Sequence, residues 1–350
     1  MTVVDDIRSV EPLAVAGPTG VERERMLGEW ATGVEPYDVS ALVTVIRHGH
    51  MVPSARSAAR CADEQLTYGD LFDDLDRFRG VHRSSAVPTA AGVAALLSEF
   101  VTASRIGVGR FGRAGLLLGA DALAVAVADR RCVAADRRLR RFDPAARPAD
   151  VRLLALPWDD PQNAVDLLAA WSAGASVVVP TETQRRDPAL LAGLIETHGV
   201  TQVVADAELP VLLMAEGVDR LPTVARWDLV GTYGGSAPAE AVRCLSPEAV
   251  ATVAFHSVAY LGAVSRGPLA PTGWTRPVPG AKVLPLDEGR LVPAGVVGDI
   301  HVGGRALAAE LAVGHHRECF VADPFEAGAR LFRTSHRGWW TPEGRLIIES

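Results

Sequence analysis

Lysine is almost absent from this chain. Of its 35 basic residues, Lys282 is the one lysine and the other 34 are arginine. Any mechanism that needs an ammonium group therefore has one candidate, and no GxxxxGK[ST] phosphate loop can be written. Paired cysteines are missing too. Cys61, Cys132, Cys244 and Cys319 stand far apart with no CxxC, which excludes the common zinc spacings and gives no disulfide framework. Long apolar runs are also lacking: AGLLLGADALAVAVA at 114–128 carries Asp121 and is too short to span a bilayer. The opening MTVVDDIRSV is acidic, without the basic-then-apolar order of a signal peptide, so a cytoplasmic protein with no membrane partner is expected. Positive charge is in deficit. A net charge of −7 argues against a nucleic-acid surface.

What is present is ordinary for a self-sufficient globular core: 350 residues, 48% apolar and 22% charged, with 33 glycines and 23 prolines. VERERMLGEW (21–30) has helical spacing and is stopped by Gly33 and Pro36. EQLTYGDLFDDLDRF (64–78) reads as a strand end and then an amphipathic helix with Leu71, Leu75 and Phe78 on one stripe. Between 80 and 150, apolar helical patterns at 90–103 and 120–128 flank RIGVGRFG. The arginine-rich ADRRLRRFDP follows, read as a solvated face or loop. From 151 the pattern is βα alternation. LLALP (153–157) and ASVVVP (175–180) are apolar strands separated by a helical segment, and TQVVAD (201–206) and 227–233 continue the series. DPALLAGLIETHG (187–199) is bracketed by Asp187 as N-cap, Pro188 at the first turn and Gly199 past the end. A further helix covers 237–245. After 280, KVLPLD, GDIHVGG, RLFRTS and RLIIES are short strands with tight turns.

The expected fold is α/β: parallel sheets covered by helices, plus a smaller antiparallel β subdomain. The expected division is a linker-like lead-in at 1–35, an α/β core at 36–275 and the β subdomain at 276–350.

Several motifs fail on context. Gly107-Val-Gly109-Arg-Phe-Gly112 fits GxGxxG, but a helical pattern precedes it and a strand-like run follows, the reverse of a dinucleotide site. His48, His50 and His315-His316 lack the helical spacing that places two imidazoles on one face. Gly235-Ser236 sits at a strand-to-helix turn, but Pro238 replaces the second glycine of a nucleophile elbow. Asp159-Asp160 follows a strand of the parallel sheet, where such sheets bind ligands; the alternative is a helix N-cap before Pro161.

The order of segments from Arg152 to Ser350 resembles the large N-terminal core of nonribosomal peptide synthetase adenylation domains, within the AMP-forming adenylating superfamily. The likeness runs through AWSAGASVVVP, THGVTQVV, YGGSAPAEAVR, TRPVPGAKVLPLD, LVPAGVVGDIHVGGRALA, CFVADPF, LFRTSHRGWW and PEGRLII. VERERMLGEW and LTYGDL are similar to the family's linker and early strand-helix signature.

The resemblance implies joining an amino acid to ATP with Mg²⁺, then transfer to a carrier-protein thiol. Its side chains depart from that chemistry. The Tyr-Gly-x-Thr-Glu slot falls on Phe255-His256-Ser257-Val258-Ala259, and His336 replaces the ribose aspartate. Trp339 stands for an arginine, the lysine-bearing Ser/Thr/Gly loop is missing, and Lys282 matches no catalytic position. Counting back from Gly174 puts Pro161 at the substrate aspartate; Asp160 fits with a shift of one. Ser350 falls where the family's hinge to a C-terminal subdomain begins.

One lost charge-stabilising contact costs about 3–4 kcal/mol of barrier, against roughly 8–23 kcal/mol for a whole enzyme. The resemblance thus implies a degenerate, truncated core that needs no cofactor. Gly234, Gly235, Ser236, Phe255, His256, Ser257, Val258, Ala259 and His336 are its vestigial nucleotide-site positions, and Asp160 its vestigial substrate-pocket position. The expected role is a structural or docking partner of synthetase or carrier-protein components, or of an MbtH-like protein. The alternatives are an AMP-forming ligase using ATP and Mg²⁺ when completed in trans by a partner subunit, and a relic with no function.

Overall fold

The computed structural model describes residues 17–33, 52–61, 63–71, 73, 147–157, 160, 162–231, 236–260, 262–271, 273–278, 280–304, 307 and 316–349. The GxGxxG segment, the helical patterns at 90–103 and 120–128, ADRRLRRFDP, Leu75, Phe78, His48, His50, Asp159 and His315 lie outside them.

Among the described residues a nine-stranded sheet carries the βα alternation. Its strands are β1 (Ser57–Cys61), β2 (Glu64–Thr67), β3 (Val151–Leu154), β4 (Ser176–Val178), β5 (Gln202–Asp206), β6 (Arg226–Val230), β7 (Val250–His256), β8 (Ala263–Pro268) and β9 (Arg276–Pro277). They lie in the order β2-β1-β4-β3-β5-β6-β7-β8-β9. Pairing is parallel from β1 through β7 and antiparallel at both edges, β1–β2 and β7–β8–β9.

The helices between strands are α2 (Gln162–Ser172), α3 (Glu182–Arg185), α4 (Pro188–His198), α5 (Leu209–Ala215) and α6 (Ala237–Leu245). Leu153, Val203, Trp227 and Leu229 pack on one side with Leu191, Ile195, Leu213, Val242 and Leu245 of α4, α5 and α6. Leu154 and Val204 share the opposite core with Leu167, Ala170 and Trp171 of α2. Burial on both faces explains why the parallel strands are nearly continuous apolar runs.

Strand lengths differ from the sequence reading. The strand expected over LLALP (153–157) runs instead over Val151–Leu154, and the one expected at 227–233 runs over Arg226–Val230. The α4 bracket is as expected. Asp187 Oδ1 accepts the N–H groups of Ala189 (3.0 Å) and Leu190 (3.2 Å), and Gly199 closes the helix at φ 58°, ψ 47°. Asp187→Ala should cost about 1 kcal/mol of stability, measurable by urea unfolding.

A second, antiparallel sheet is formed by β10 (Ala281–Asp287), β11 (Arg290–Leu291), β12 (Gly298–Gly304), β13 (Phe320–Ala322), β14 (Arg330–Trp340) and β15 (Leu346–Ile348). Its order is β11-β10-β12-β14-β13, with β15 on β14. Lys282 is committed here: its ammonium lies 2.5 Å from the buried Asp323 carboxylate and 3.1 Å from Glu326.

The segment before the core packs on this sheet. Helix α1 (Gly20–Arg25) runs into a wider π-type turn, Met26–Trp30, in which Ala31 N–H reaches Met26 O at 2.8 Å. Met26, Trp30 and Ala31 are buried, and Val283 N–H donates to Ala31 O at 2.8 Å. Isolated bridges join Thr32 to Lys282, Tyr260 to Leu307 and Thr275 to Leu346.

One charged row runs through the large sheet. Arg152 on β3 is 1% exposed; its guanidinium donates to Asp166 of α2 at 2.6 Å and to Gln202 of β5 at 2.6 and 2.9 Å. Asp228 of β6 meets Arg226 (2.7 Å), Arg266 (2.8 Å) and the Thr252 hydroxyl (2.7 Å). Burial pushes the Asp166 carboxyl up, and Arg152 only partly offsets it.

Candidate functional site

Parallel strands present their C-terminal ends on one edge, and the chain reverses its direction across the sheet at β3, with β4 on one side and β5 on the other. Ligands of open α/β sheets bind at such an edge. Three titratable side chains of the described chain collect there: Asp160 after β3, Asp206 at the end of β5 and His256 at the end of β7.

Asp160 Oδ1 accepts the Gln162 N–H at 2.8 Å, so it does cap α2, the alternative that the sequence left open. The same oxygen lies 3.4 Å from Nδ1 of His256, whose side chain is 10% exposed. That spacing is an ion-pair contact; neither imidazole nitrogen has a hydrogen-bond partner in the described structure. Burial raises the Asp160 acid, but the His256 charge, its close approach and the Gln162 N–H outweigh it, and the net shift is downward. Asp206, although exposed at the strand end, moves the other way, raised first by partial desolvation of its carboxylate and then by the Asp160 charge. The sequence reading missed Asp206, although its place as the last residue of an apolar strand is the signal that singled out Asp159-Asp160.

The remaining sequence-derived positions are spread around this edge. Phe255 is buried on β7, and the His336 ring from β14 meets it edge-on with centroids 5.0 Å apart. His336 Nδ1 is buried without a partner among the described residues, and burial lowers the basicity of the ring, which favours the neutral form. The backbone N–H of His336 donates to Thr334 Oγ1 at 3.2 Å. Ser257 serves its own turn, accepting the Ala259 N–H at 3.4 Å. Val258 is 60% exposed and Ala259 is buried. Ser236 is the N-cap residue of α6 but makes no side-chain cap bond. Gly234 and Gly235 lie outside the described residues.

The edge therefore offers two carboxylates, an imidazole held by one of them and a second, neutral imidazole. The positions that the resemblance assigns to a Thr-Glu pair carry Val258 and Ala259, and among the described residues no three His, Cys, Asp or Glu side chains gather where they could hold a metal. Lys282 is tied to Asp323 and Glu326 in the other sheet.

No protein-family model matches the chain. Novobiocin biosynthesis protein H of Streptomyces niveus is 31% identical over 206 residues, 52% of this chain and 31% of that protein. Tyrocidine synthase 3 of Brevibacillus parabrevis is 29% identical over 185 residues, 50% of this chain and 3% of the synthase. This chain thus spans a third or less of the length of these relatives.

Among solved structures, the nonribosomal peptide synthetase FmoA3 in its AMPPNP-bound form superposes with a TM-score of 0.70 at 19% identity, over 95% of this chain and 45% of that one. FmoA3 bound to alpha-methyl-L-serine-AMP gives 0.69 at 18% identity, over 95% and 47%. At such identities the superposition speaks for the fold, which is that of the N-terminal core of adenylate-forming enzymes. The chain is thus similar in sequence, over about half its length, to synthetases and biosynthesis proteins such as these, and over nearly all of it similar in fold to a nonribosomal peptide synthetase.

Proposed function

We propose that this is an adenylation-domain-like protein of nonribosomal peptide biosynthesis that does not itself activate amino acids with ATP. It serves as a structural or docking partner of synthetase or carrier-protein components, or of an MbtH-like protein. One observation carries the reading. At the C-terminal edge of the parallel strands, where open α/β sheets bind ligands, this chain sets Asp160, Asp206 and His256 beside apolar Val258 and Ala259, whereas FmoA3, of similar fold, is known in AMPPNP-bound and alpha-methyl-L-serine-AMP-bound forms.

A triphosphate needs fixed positive charge and metal-holding oxygens, since preorganised electrostatics supply most of the barrier lowering. Here the charges of the crevice repel it. Among the described residues both sheets and their cores are formed, which supports a role through shape.

Isothermal calorimetry of the chain with ATP·Mg²⁺, and amino acid–dependent exchange of pyrophosphate into ATP, should both give no signal. Exchange above background in the isolated chain would defeat the reading. Exchange that arises only on adding a candidate C-terminal partner would replace it with a ligase completed in trans.

A further inference from the structure

The segment before β9 and the turn before β15 meet at one corner of the protein. Thr275 and Leu346 exchange backbone hydrogen bonds at 2.8 and 2.9 Å, so the two segments are held in one frame. A Cβ at Gly267 would run into the Trp274 carbonyl, which leaves the chain there little room to shift. In this frame the half-buried Trp274 ring carries two exposed arginines. The Arg345 guanidinium lies 4.7 Å from the ring centroid and that of Arg276 lies 6.0 Å from it.

Neither charge is neutralised. Among the described residues no carboxylate stands within ion-pair distance of either arginine, and Arg276 donates to the Glu343 carbonyl alone, at 3.4 Å. The Glu343 carboxylate is engaged by the Thr341 side chain and by its own backbone, and the Arg345 charge lowers its acid only after these. Arg186 and Arg337 are exposed too, yet each meets a carboxylate, Glu182 at 2.7 Å and Asp299 at 3.9 Å. A guanidinium stacked on an aromatic face keeps its N–H edge free and has little freedom left to lose. It is thus set up for a two-pronged grip on a carboxylate. Two like charges brought to one ring repel each other until anions join them.

We propose that Trp274, Arg276 and Arg345 form a docking surface for an acidic segment of a partner protein, each arginine taking one carboxylate. The proposal rests on the reading of this chain as a docking partner and gives that role a surface. A short acidic segment meets only the local charge. A long polyanion such as a nucleic acid also meets the net charge of −7, which repels it.

The test uses the full chain and a fluorescein-labelled octaglutamate peptide, with octaglutamine as control, read by fluorescence anisotropy at low salt. The wild type should bind octaglutamate and not octaglutamine, and should lose affinity as salt is added. Arg276→Gln with Arg345→Gln should weaken binding by at least about tenfold, with the melting temperature unchanged because both side chains are exposed. Trp274→Leu keeps both charges and should weaken binding by about fivefold. Arg276→Lys with Arg345→Lys should also weaken it, since an ammonium group lacks the fork. Arg220→Gln with Arg243→Gln removes as much charge from exposed positions elsewhere and should change nothing.

No octaglutamate binding by the wild type overturns the proposal. An equal loss in the Arg220, Arg243 variant overturns it too, because net charge alone would then be at work. Full affinity in a folded Trp274→Leu protein overturns the stacked pair; should that variant fail to fold, full affinity in the lysine pair does so. Tighter binding of oligothymidine than of octaglutamate overturns the protein partner in favour of a nucleic acid. Salt-sensitive dimerisation that the glutamine pair abolishes, without peptide binding, overturns it in favour of a second copy. Pyrophosphate exchange by the wild type bears on the crevice alone, and would instead overturn the reading of the chain as inactive.

Discussion

Arg152→Met should lower folding stability by about 3–5 kcal/mol, because it strands Asp166 inside the protein without its cation. Arg152 is 1% exposed, and its guanidinium is fixed by Asp166 at 2.6 Å and by Gln202. Methionine fills much of the same volume, so the loss reports charge and hydrogen bonding more than cavity. Asp166 is already raised above the usual carboxylate range by burial, with Arg152 pulling it down. Removing Arg152 lets it rise further.

The sign of the pH dependence follows. A carboxyl whose folded value is raised favours the folded state while protonated, and loses that contribution as pH climbs through the raised value. The deficit of Arg152→Met should therefore shrink toward the ordinary carboxylate range and grow above it. Urea unfolding at a series of pH values measures this, and a deficit that does not change with pH would contradict it. Arg152→Met combined with Asp166→Leu should recover most of the loss, since replacing both members of a buried pair by apolar groups is often neutral.

The second large effect is expected at Trp30. Its indole is 8% exposed and lies 6.1 Å from the Trp340 ring, and the Arg25 guanidinium sits 5.3 Å from its centroid. Opposite stands Gly344 at φ 72°, where a Cβ would approach the indole nitrogen to 2.5 Å. Trp30→Ala should cost about 3–5 kcal/mol, the range for emptying a large aromatic site. Gly344→Val reaches the same contact from the other side and combines a clash with a left-handed backbone. A loss under about 1 kcal/mol for Trp30→Ala, read from the urea midpoint at unchanged slope, would mean that the π-type turn is not held by this packing.

These sites also show what the sequence could and could not convey. The α4 bracket was legible because Asp187, Pro188 and Gly199 act within one helix. The alternation of apolar strands with helices, and the antiparallel layer after 280, follow from local periodicity in the same way. Pairings between distant segments were not legible. Nothing near Ser57–Cys61 announces that Ala59 pairs with Val177, nor that β7 turns back into β8 and β9. Arg152 was invisible as a buried charge, since its partners lie 14 and 50 residues away. At the candidate site, Asp160, His256 and His336 were each singled out by position. Their arrangement was hidden: Asp160, after β3, meets His256 at the end of the non-neighbouring β7, and Phe255 meets His336 across the two sheets.

The bridges Thr32–Lys282, Tyr260–Leu307 and Thr275–Leu346 carry a consequence for how such a protein can change over time. The last two fix the register of one layer by the backbone of the other, and the first ties the preceding segment to the antiparallel layer, so an insertion in either layer displaces hydrogen bonds in both. Exchange of genetic segments with a relative would succeed only if the layers travelled as one block. Side chains at the crevice are free of that constraint, and can drift while the frame holding them stays the same.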